Sequence, residues 1–241
     1  MRTVLALGSV LLAVLTGTTV SPAVPSARAA SAAAPLPARM ADTGGGSQLI
    51  TAQAPHAGAT RGRVIWWDLR HGDWVPVGSA AARFGAGGLV RGSERVQGTS
   101  TTPTGLYPLP YAFGTAPEPA GTAYGYRAVT EESWWCQDNE AREYNRWVEG
   151  LPADCRASES ERLADYREQY AHALVIGFNY DRPVRERGAG IFLHVDGEGA
   201  TAGCVSVPAE AMRRILAWAD PLRAPHIAVG TPSGATAITR Y

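Results

Sequence analysis

Residues 191–208 read IFLHVDGEGATAGCVSVP: an apolar, strand-like run, a loop rich in glycine, and a second short apolar run. Alternate side chains of a β-strand lie on opposite faces. The face that we expect to join the core carries Ile191, Leu193 and Val195. Phe192 and His194 then share the other face, and His194 lies at the strand end, where a functional group is presented. The glycine loop leads on to Cys204.

Cys204 and His194 form a candidate nucleophile and base. A thiol reacts as its thiolate, and both an imidazole and a nearby helix N-terminus favour that ion. We expect a helix to begin at Pro208, just after Cys204. The backbone N–H groups of Ala202, Gly203 and Cys204 are then candidates for an oxyanion hole. A structural histidine and a buried, inert cysteine remain the alternatives at this point.

The N-terminal residues have the pattern of an export signal. Arg2 is a short basic start, Val4 to Val20 is an apolar run, and Ala27-Arg28-Ala29 has the small-x-small pattern of a cleavage site. We therefore expect residues 1–29 to be a signal peptide and the protein to be secreted. A membrane anchor is the alternative, although the apolar run is short and no basic cluster follows it.

The chain has three cysteines, and an oxidising compartment favours pairing of two of them. Cys136 and Cys155 lie in one polar stretch, and we expect them to form a disulfide that contributes roughly 3 kcal/mol for a loop of about this size. Cys204 has a different setting and is, by elimination, the free thiol.

The pattern of the chain predicts one main domain. Residues 30–47 are rich in Ala, Gly and Pro and are expected to form a flexible linker. Residues 48–241 are expected to form the domain. Within it, residues 110–172 show little periodicity and are interpreted as a long insertion, in which Glu161 to Gln169 is a candidate helix.

The periodic segments of this domain predict a mostly-β fold. Residues 63–69 and 74–77 read as the two arms of a hairpin with a turn between them. Ala173 to Asn179 reads as a buried strand. One clear helix is predicted after Cys204, and its apolar stripe consists of Met212, Ile215, Leu216 and Ala219.

The composition limits the partners. Hydrophobic residues make up 45% of the chain, which excludes a disordered protein. The 22 basic and 22 acidic residues balance, which argues against nucleic acid or an anionic membrane as the main partner. No motif for a cofactor is present. A metal site at His194, Asp196 and Cys204 is a weak alternative, and no signal for an oligomer is visible.

The segment His194–Val207 resembles the signature of the YkuD-type L,D-transpeptidases. In that signature a His at a strand end is followed, after a glycine-containing loop, by Ser/Thr-x-Gly-Cys-Val/Ile, and residues 201–205, TAGCV, match this core. Residues 102–105 and 177–180 are similar to two outlying parts of the family pattern. The resemblance covers roughly residues 60–240 and implies a mostly-β sandwich or cradle.

The resemblance also implies roles for single residues. Cys204 attacks the third residue of a peptidoglycan tetrapeptide stem, releases the terminal D-alanine and passes the acyl group to an amine acceptor. His194 is the base, and the backbone carbonyl of Val195 orients its ring, while Gly203 belongs to the catalytic motif. The implied location is the cell wall. The candidates for substrate contacts are Thr201, Ala202, Tyr180, Asp196 and Ser206.

Three features depart from the family pattern. Only nine residues separate His194 from Cys204, Ser206 stands where many members have Arg, and Ala202 stands where some have a second His. An L,D-carboxypeptidase that uses water as acceptor and a catalytically silent cell-wall-binding module therefore stay open beside the transpeptidase. Papain-type and NlpC-type peptidases are less favoured, because in them the Cys precedes the His.

Overall fold

The structure is a computed structural model that describes residue 3 and residues 34–241. Residues 34–241 form one compact unit. The predicted signal peptide, residues 1–29, lies outside the described residues except for Thr3. No helix among the described residues combines the length and the apolar character that crossing a bilayer requires.

The described part of the chain is mostly β, as predicted, with 14 strands in two sheets. The strands are β1 Gln48–Gln53, β2 Arg61–Arg70, β3 Asp73–Arg83, β4 Leu89–Arg91, β5 Thr102–Pro108, β6 Ala112–Gly114, β7 Tyr126–Ala128, β8 Ser133–Cys136, β9 Arg146–Glu149, β10 Glu161–Arg162, β11 Ala173–Val175, β12 Phe192–Val195, β13 Val205–Val207 and β14 His226–Gly230. The larger sheet has the order β4-β5-β14-β1-β2-β3-β13-β12-β11-β6-β7, and the smaller one the order β10-β8-β9.

The predicted hairpin is formed by β2 and β3, which are longer than the sequence pattern indicated. The strands pair antiparallel up to Arg70 and Asp73, so the turn consists of His71 and Gly72. Both turn residues have positive φ, 51° and 90°. This backbone matches the twist of a two-residue hairpin, which explains the glycine at the second position.

Strand β12 separates two cores, as its alternation predicted. Ile191, Leu193 and Val195 belong to the main core, which also contains the helix side chains. Phe192 belongs instead to an aromatic core with Trp135 and Cys204. The face of β12 that carries Phe192 therefore packs on the same core as Cys204.

The predicted helix is present as α1, Ala209–Trp218, with Pro208 as its N-cap residue. Its buried side chains are Ala211, Met212, Ile215 and Leu216, which recur at helical spacing. Burial of each of the larger three contributes roughly 1.5–3 kcal/mol. Their contact with the main core holds the segment that follows Cys204 against the sheet.

The middle of the predicted linker, residues 36–41, packs on the domain and is not the flexible segment that was expected. Leu36–Arg39 is a 3-10 helix, and Leu36 and Met40 pack against a small core that contains Ile238. The N–H of Ala41 donates to the carbonyl of Thr239 at 3.2 Å. Burial of the Leu36 and Met40 side chains removes apolar surface from water and stabilises this contact. The Ala-, Gly- and Pro-rich composition of residues 30–47 did not indicate it.

The 110–172 insertion is folded and contributes to both sheets. Strands β6 and β7 extend the edge of the large sheet, and the small sheet lies wholly within the insertion. The predicted disulfide is confirmed: Cys136 and Cys155 are bonded, with Cα atoms 6.2 Å apart. The candidate helix at Glu161 to Gln169 is wrong, because β10 pairs with β8 there and a 3-10 helix, Leu163–Asp165, follows. Pairing with β8 and complete burial of Leu163 override the local pattern.

Candidate active site

Cys204 is buried at the end of the glycine loop, directly before β13. It is 7% exposed, and it is the free cysteine among the described residues. Its Sγ accepts the N–H of Phe192 at 3.4 Å and lies 3.4 Å from the carbonyl oxygen of Gly190. Because a carbonyl oxygen only accepts, the second contact uses the S–H proton. The resting Cys204 is therefore held as a thiol.

His194 is buried on β12, and its tautomer is set by the backbone. Its Nδ1 lies 2.7 Å from the carbonyl oxygen of Val195. The carbonyl can only accept, so Nδ1 carries the proton and Nε2 keeps its lone pair. The ring of Tyr170 packs edge to face on the imidazole, with centroids 5.5 Å apart. The imidazole is thus oriented with a free proton acceptor, which is the form that a general base needs.

Burial sets the protonation states of this pair. It raises the pKa of the Cys204 thiol to about 12; the charge of Glu161 acts in the same direction, and Arg95 acts against it. Burial lowers the pKa of His194 to about 4. Near neutral pH the resting site therefore contains a neutral thiol and a neutral imidazole.

The expected helix N-terminus beside Cys204 is not there. Strand β13 follows Cys204 first, and α1 begins only at Ala209. The field of a helix end falls off within about one turn, so α1 does not offset the burial of the thiol. The expectation that the helix lowers the pKa of Cys204 is wrong for this reason.

The loop before Cys204 is held by Thr201. Its Oγ1 accepts the N–H of Gly203 at 3.1 Å and donates to the carbonyl of Cys204 at 2.7 Å. One of the three predicted oxyanion donors, Gly203, is therefore already engaged. Outside the strand ladders, no hydrogen bond in residues 34–241 uses the N–H of Ala202 or Cys204. These two N–H groups are the remaining candidate donors.

Two cavities meet at Cys204. The Arg95 cavity, about 390 Å³, is lined by Cys204 together with Arg95 and Glu161. The His194 cavity, about 220 Å³, is lined by Cys204 together with His194 and residues 197–202. The walls shared by both cavities are Ala202, Tyr166 and Tyr170. A ligand in either cavity thus has access to the same thiol.

The thiol and the imidazole share the His194 cavity without a direct bond. None of the hydrogen bonds of residues 34–241 joins Cys204 Sγ to His194. Catalytic hydrogen bonds commonly tighten only when substrate is bound.

Tyr180 and Asp196, two of the predicted substrate contacts, lie outside the walls of both cavities. Tyr180 lines neither cavity; its ring packs against Trp135 and under the guanidinium of Arg146. Asp196 pairs with Arg83, whose Nε lies 3.8 Å from its carboxylate. The acidic side chain that does line the His194 cavity is that of Glu198.

Ser206 lies beside His194 but outside both cavities. It pairs in register with His194 across β12 and β13, and it is buried. Its Oγ has no hydrogen-bond partner among the described residues. The structure therefore places Ser206 next to His194 and outside the walls of both cavities.

Three residues that line the cavities could not be identified as site residues from the sequence. Glu161 and Tyr170 come from the insertion, and Arg95 comes from the segment between β4 and β5. None of them belongs to a motif that carries chemistry. The one available signal was the placement of Arg95 shortly before the Thr102–Gly105 segment, which resembles the family pattern.

The metal alternative finds no support in the residues that the structure describes. No group of three or more His, Cys, Asp or Glu side chains in that part of the chain has the proximity that a metal ion requires. His194 and Cys204 instead contact backbone groups, those of Val195, Phe192 and Gly190.

Comparison with known proteins agrees with this geometry. The family model for the L,D-transpeptidase catalytic domain, YkuD, matches residues 60–236. A search of curated proteins found no match. The matched segment contains both residues of the thiol–imidazole pair, and the mostly-β architecture is consistent with the family's fold. The chain therefore belongs to the YkuD family of L,D-transpeptidase catalytic domains.

Proposed function

We propose that this protein is an exported peptidoglycan L,D-transpeptidase that forms an acyl-enzyme at Cys204 and passes the acyl group to an amine. The observation that carries the proposal is that Cys204 and His194 line one cavity, with the imidazole tautomer set by the Val195 carbonyl. Nucleophile and base are thereby presented to the same substrate carbonyl.

In the first half-reaction Cys204 becomes acylated. Nε2 of His194 takes the thiol proton while Sγ attacks the carbonyl carbon of the third stem residue. The C–N bond to the terminal D-alanine then breaks, and His194 returns the proton to the departing amine. The products are a thioester at Cys204 and free D-alanine. The N–H groups of Ala202 and Cys204 are the proposed donors to the oxyanion.

In the second half-reaction an amine replaces D-alanine. The acceptor nitrogen attacks the thioester carbonyl, and His194 takes a proton from that nitrogen. The C–S bond then breaks, and His194 passes the proton to Sγ, which restores the thiol and the neutral imidazole. The His194 cavity supports an amine acceptor because the carboxylate of Glu198 lies in its wall. A cationic amine is attracted to that carboxylate; it releases one proton to solvent and attacks as the neutral amine.

The neutral resting pair fits this two-step chemistry. With a thiol pKa near 12 and an imidazole pKa near 4, the free protein holds very little thiolate at neutral pH. Proton transfer must then be coupled to attack on a bound carbonyl. Nonspecific reactions of the thiol are correspondingly slow.

Export is proposed from two features. The disulfide between Cys136 and Cys155 is typical of an oxidising compartment, and residues 1–29 have the pattern of a signal peptide. The proposed organisation is a signal peptide, a connecting segment of which residues 36–40 pack on the domain, and a catalytic domain over residues 48–241.

The test is a product assay with a disaccharide-tetrapeptide donor, with and without an acceptor stem. A transpeptidase yields cross-linked dimer only when the acceptor is present, and Cys204→Ser yields none. Release of tripeptide without dimer would establish the carboxypeptidase, with water as acceptor. No reaction and no adduct with a carbapenem would favour the silent wall-binding module.

A further inference from the structure

Arg95 is a buried arginine without a carboxylate partner. It is 6% exposed, and it takes part in none of the ion pairs formed by residues 34–241. Removal of an unpaired guanidinium from water costs several kcal/mol. A site that keeps such a charge is expected to receive an anion from outside the chain.

The guanidinium is held in place by the backbone. Its Nε donates to the carbonyl of Thr101 at 2.8 Å, and its Nη1 donates to the carbonyl of Arg187 at 3.0 Å. The group also lies 5.7 Å from the ring centroid of Phe178. A guanidinium has five N–H donors. The three that remain, one on Nη1 and two on Nη2, have no partner among the described residues.

Two glycines make room for this guanidinium next to the nucleophile. A Cβ atom on Gly203 would lie 2.8 Å from Nη2, and a Cβ on Gly188 would overlap Nη1. Gly203 directly precedes Cys204, and successive Cα atoms are about 3.8 Å apart. The unpartnered edge of Arg95 therefore lies within about three residue lengths of the reacting thiol, in the wall of the Arg95 cavity.

We propose that Arg95 is the binding site for a carboxylate of the peptide donor, which occupies the Arg95 cavity while its carbonyl lies at Cys204. The inference rests on the proposed function, because a peptide donor is what brings a carboxylate close to the thiol. A carboxylate matches the planar fork of a guanidinium and forms two parallel, charge-assisted hydrogen bonds with it.

Two carboxylates of a stem peptide lie at a suitable distance from the reacting carbonyl. One is the C-terminal carboxylate of the departing D-alanine, which is one residue beyond the scissile bond. The other is a side-chain carboxylate on the third residue itself. Both present the same chemistry to Arg95, and amidation of each one separately distinguishes them.

The experiment measures binding to Cys204→Ser by calorimetry, so that no turnover is needed. Three probes are compared: a tetrapeptide with both carboxylates, its C-terminal amide, and its third-residue side-chain amide. We expect one of the two amides to bind roughly 10–100-fold more weakly, the range for loss of a charged hydrogen-bonded contact. In Cys204→Ser/Arg95→Gln, the three probes should bind alike.

The ratio between probes is measured within one variant, so partial unfolding of Arg95→Gln does not produce a false result. Arg91→Gln is the matched control, because Arg91 is half exposed and pairs with Glu94 outside the Arg95 cavity. In the Cys204→Ser background, this variant should show the same ratio of affinities between the three probes as Cys204→Ser alone. Arg95→Lys keeps the positive charge but loses the two parallel N–H donors of the guanidinium. The difference in affinity between the probes should therefore be intermediate in this variant.

The proposal is overturned if Arg95→Gln keeps the discrimination, if all probes bind equally to Cys204→Ser, or if none binds. The proposed function has a separate readout, which is the acyl-enzyme formed by the protein with Cys204 intact. Discrimination without an acyl-enzyme would remove the transpeptidase proposal and leave the carboxylate site in place.

Discussion

The hydroxyl of Tyr170 donates a 2.6 Å hydrogen bond to Oε1 of Glu161, and the ring of the same tyrosine packs on His194. Nε2 of Gln137 donates to the other oxygen of Glu161 at 3.0 Å. Burial outweighs these two hydrogen bonds and raises the pKa of Glu161 to about 7. The insertion therefore brings a carboxyl group that titrates near neutral pH into a cavity that Cys204 also lines.

The first prediction concerns the reactivity of Cys204. Because its pKa is raised to about 12, the rate of alkylation by iodoacetamide should rise from pH 6 to 9 without a plateau. The total rise should be about 100–300-fold and not 1000-fold, since Glu161 ionises near pH 7 in this range and raises the pKa of Cys204 further. Peptide mapping of the unreduced protein should find the label at Cys204 alone. A plateau near pH 6–7 would show a stable thiolate–imidazolium pair and contradict the neutral resting state.

The second prediction concerns Glu161→Gln. Ionised Glu161 raises the pKa of Cys204, so its removal should increase the alkylation rate only where the native carboxyl is charged. The ratio of variant to native rate should be close to one below pH 6 and about three to ten above pH 8, which corresponds to roughly 1 kcal/mol. Glu168→Gln, an exposed position outside both cavities, is the control. A ratio that does not vary with pH would rule out this coupling.

The third prediction compares two glycines of the same loop. Gly203 has φ +140°, and a Cβ there would lie 2.8 Å from Arg95. Gly203→Ala should therefore displace the backbone at the nucleophile and slow acylation about 100-fold. A Cβ on Gly199 meets no atom within 4 Å, so Gly199→Ala should acylate at close to the native rate. Equal rates for the two variants would contradict the assigned role of Gly203. Single-turnover kinetics with the tetrapeptide measures both.

The fourth prediction concerns the disulfide of the insertion. Cys136→Ala/Cys155→Ala should lower the free energy of unfolding by about 3 kcal/mol, since the bond closes a loop of 19 positions. Urea denaturation of the native and variant proteins without reductant measures this difference. Reductant should lower the stability of the native protein and leave that of the variant unchanged. A loss below about 1 kcal/mol would mean that packing of the small sheet, and not the bond, holds the insertion.

The sequence was sufficient for the parts of the fold that depend on local patterns. Alternation along residues 191–195 predicted the two faces of β12, and the stripe of Met212, Ile215 and Leu216 predicted α1. These predictions hold because the period of burial is set by the backbone geometry of one element. The pairing of Cys136 with Cys155 is also local, since both lie in one insertion.

The sequence was not sufficient to predict the parts of the site at which segments distant in the chain meet. Glu161, Tyr170 and Arg95 reach Cys204 from three places in the chain, and no motif marks them. The pKa of Cys204 was expected to fall because a helix start follows in the sequence, yet burial in the aromatic core raises it. Desolvation depends on everything that packs around the thiol, and it is therefore not readable from neighbours in sequence.

The most direct test of the central claim is the intact mass of the protein after brief incubation with a disaccharide-tetrapeptide. We expect an adduct of the donor minus D-alanine, located at Cys204 by peptide mapping, absent in Cys204→Ser and formed at least 100-fold more slowly in His194→Ala. An adduct at another residue, or an unchanged rate in His194→Ala, would contradict the assignment of Cys204 and His194 as nucleophile and base.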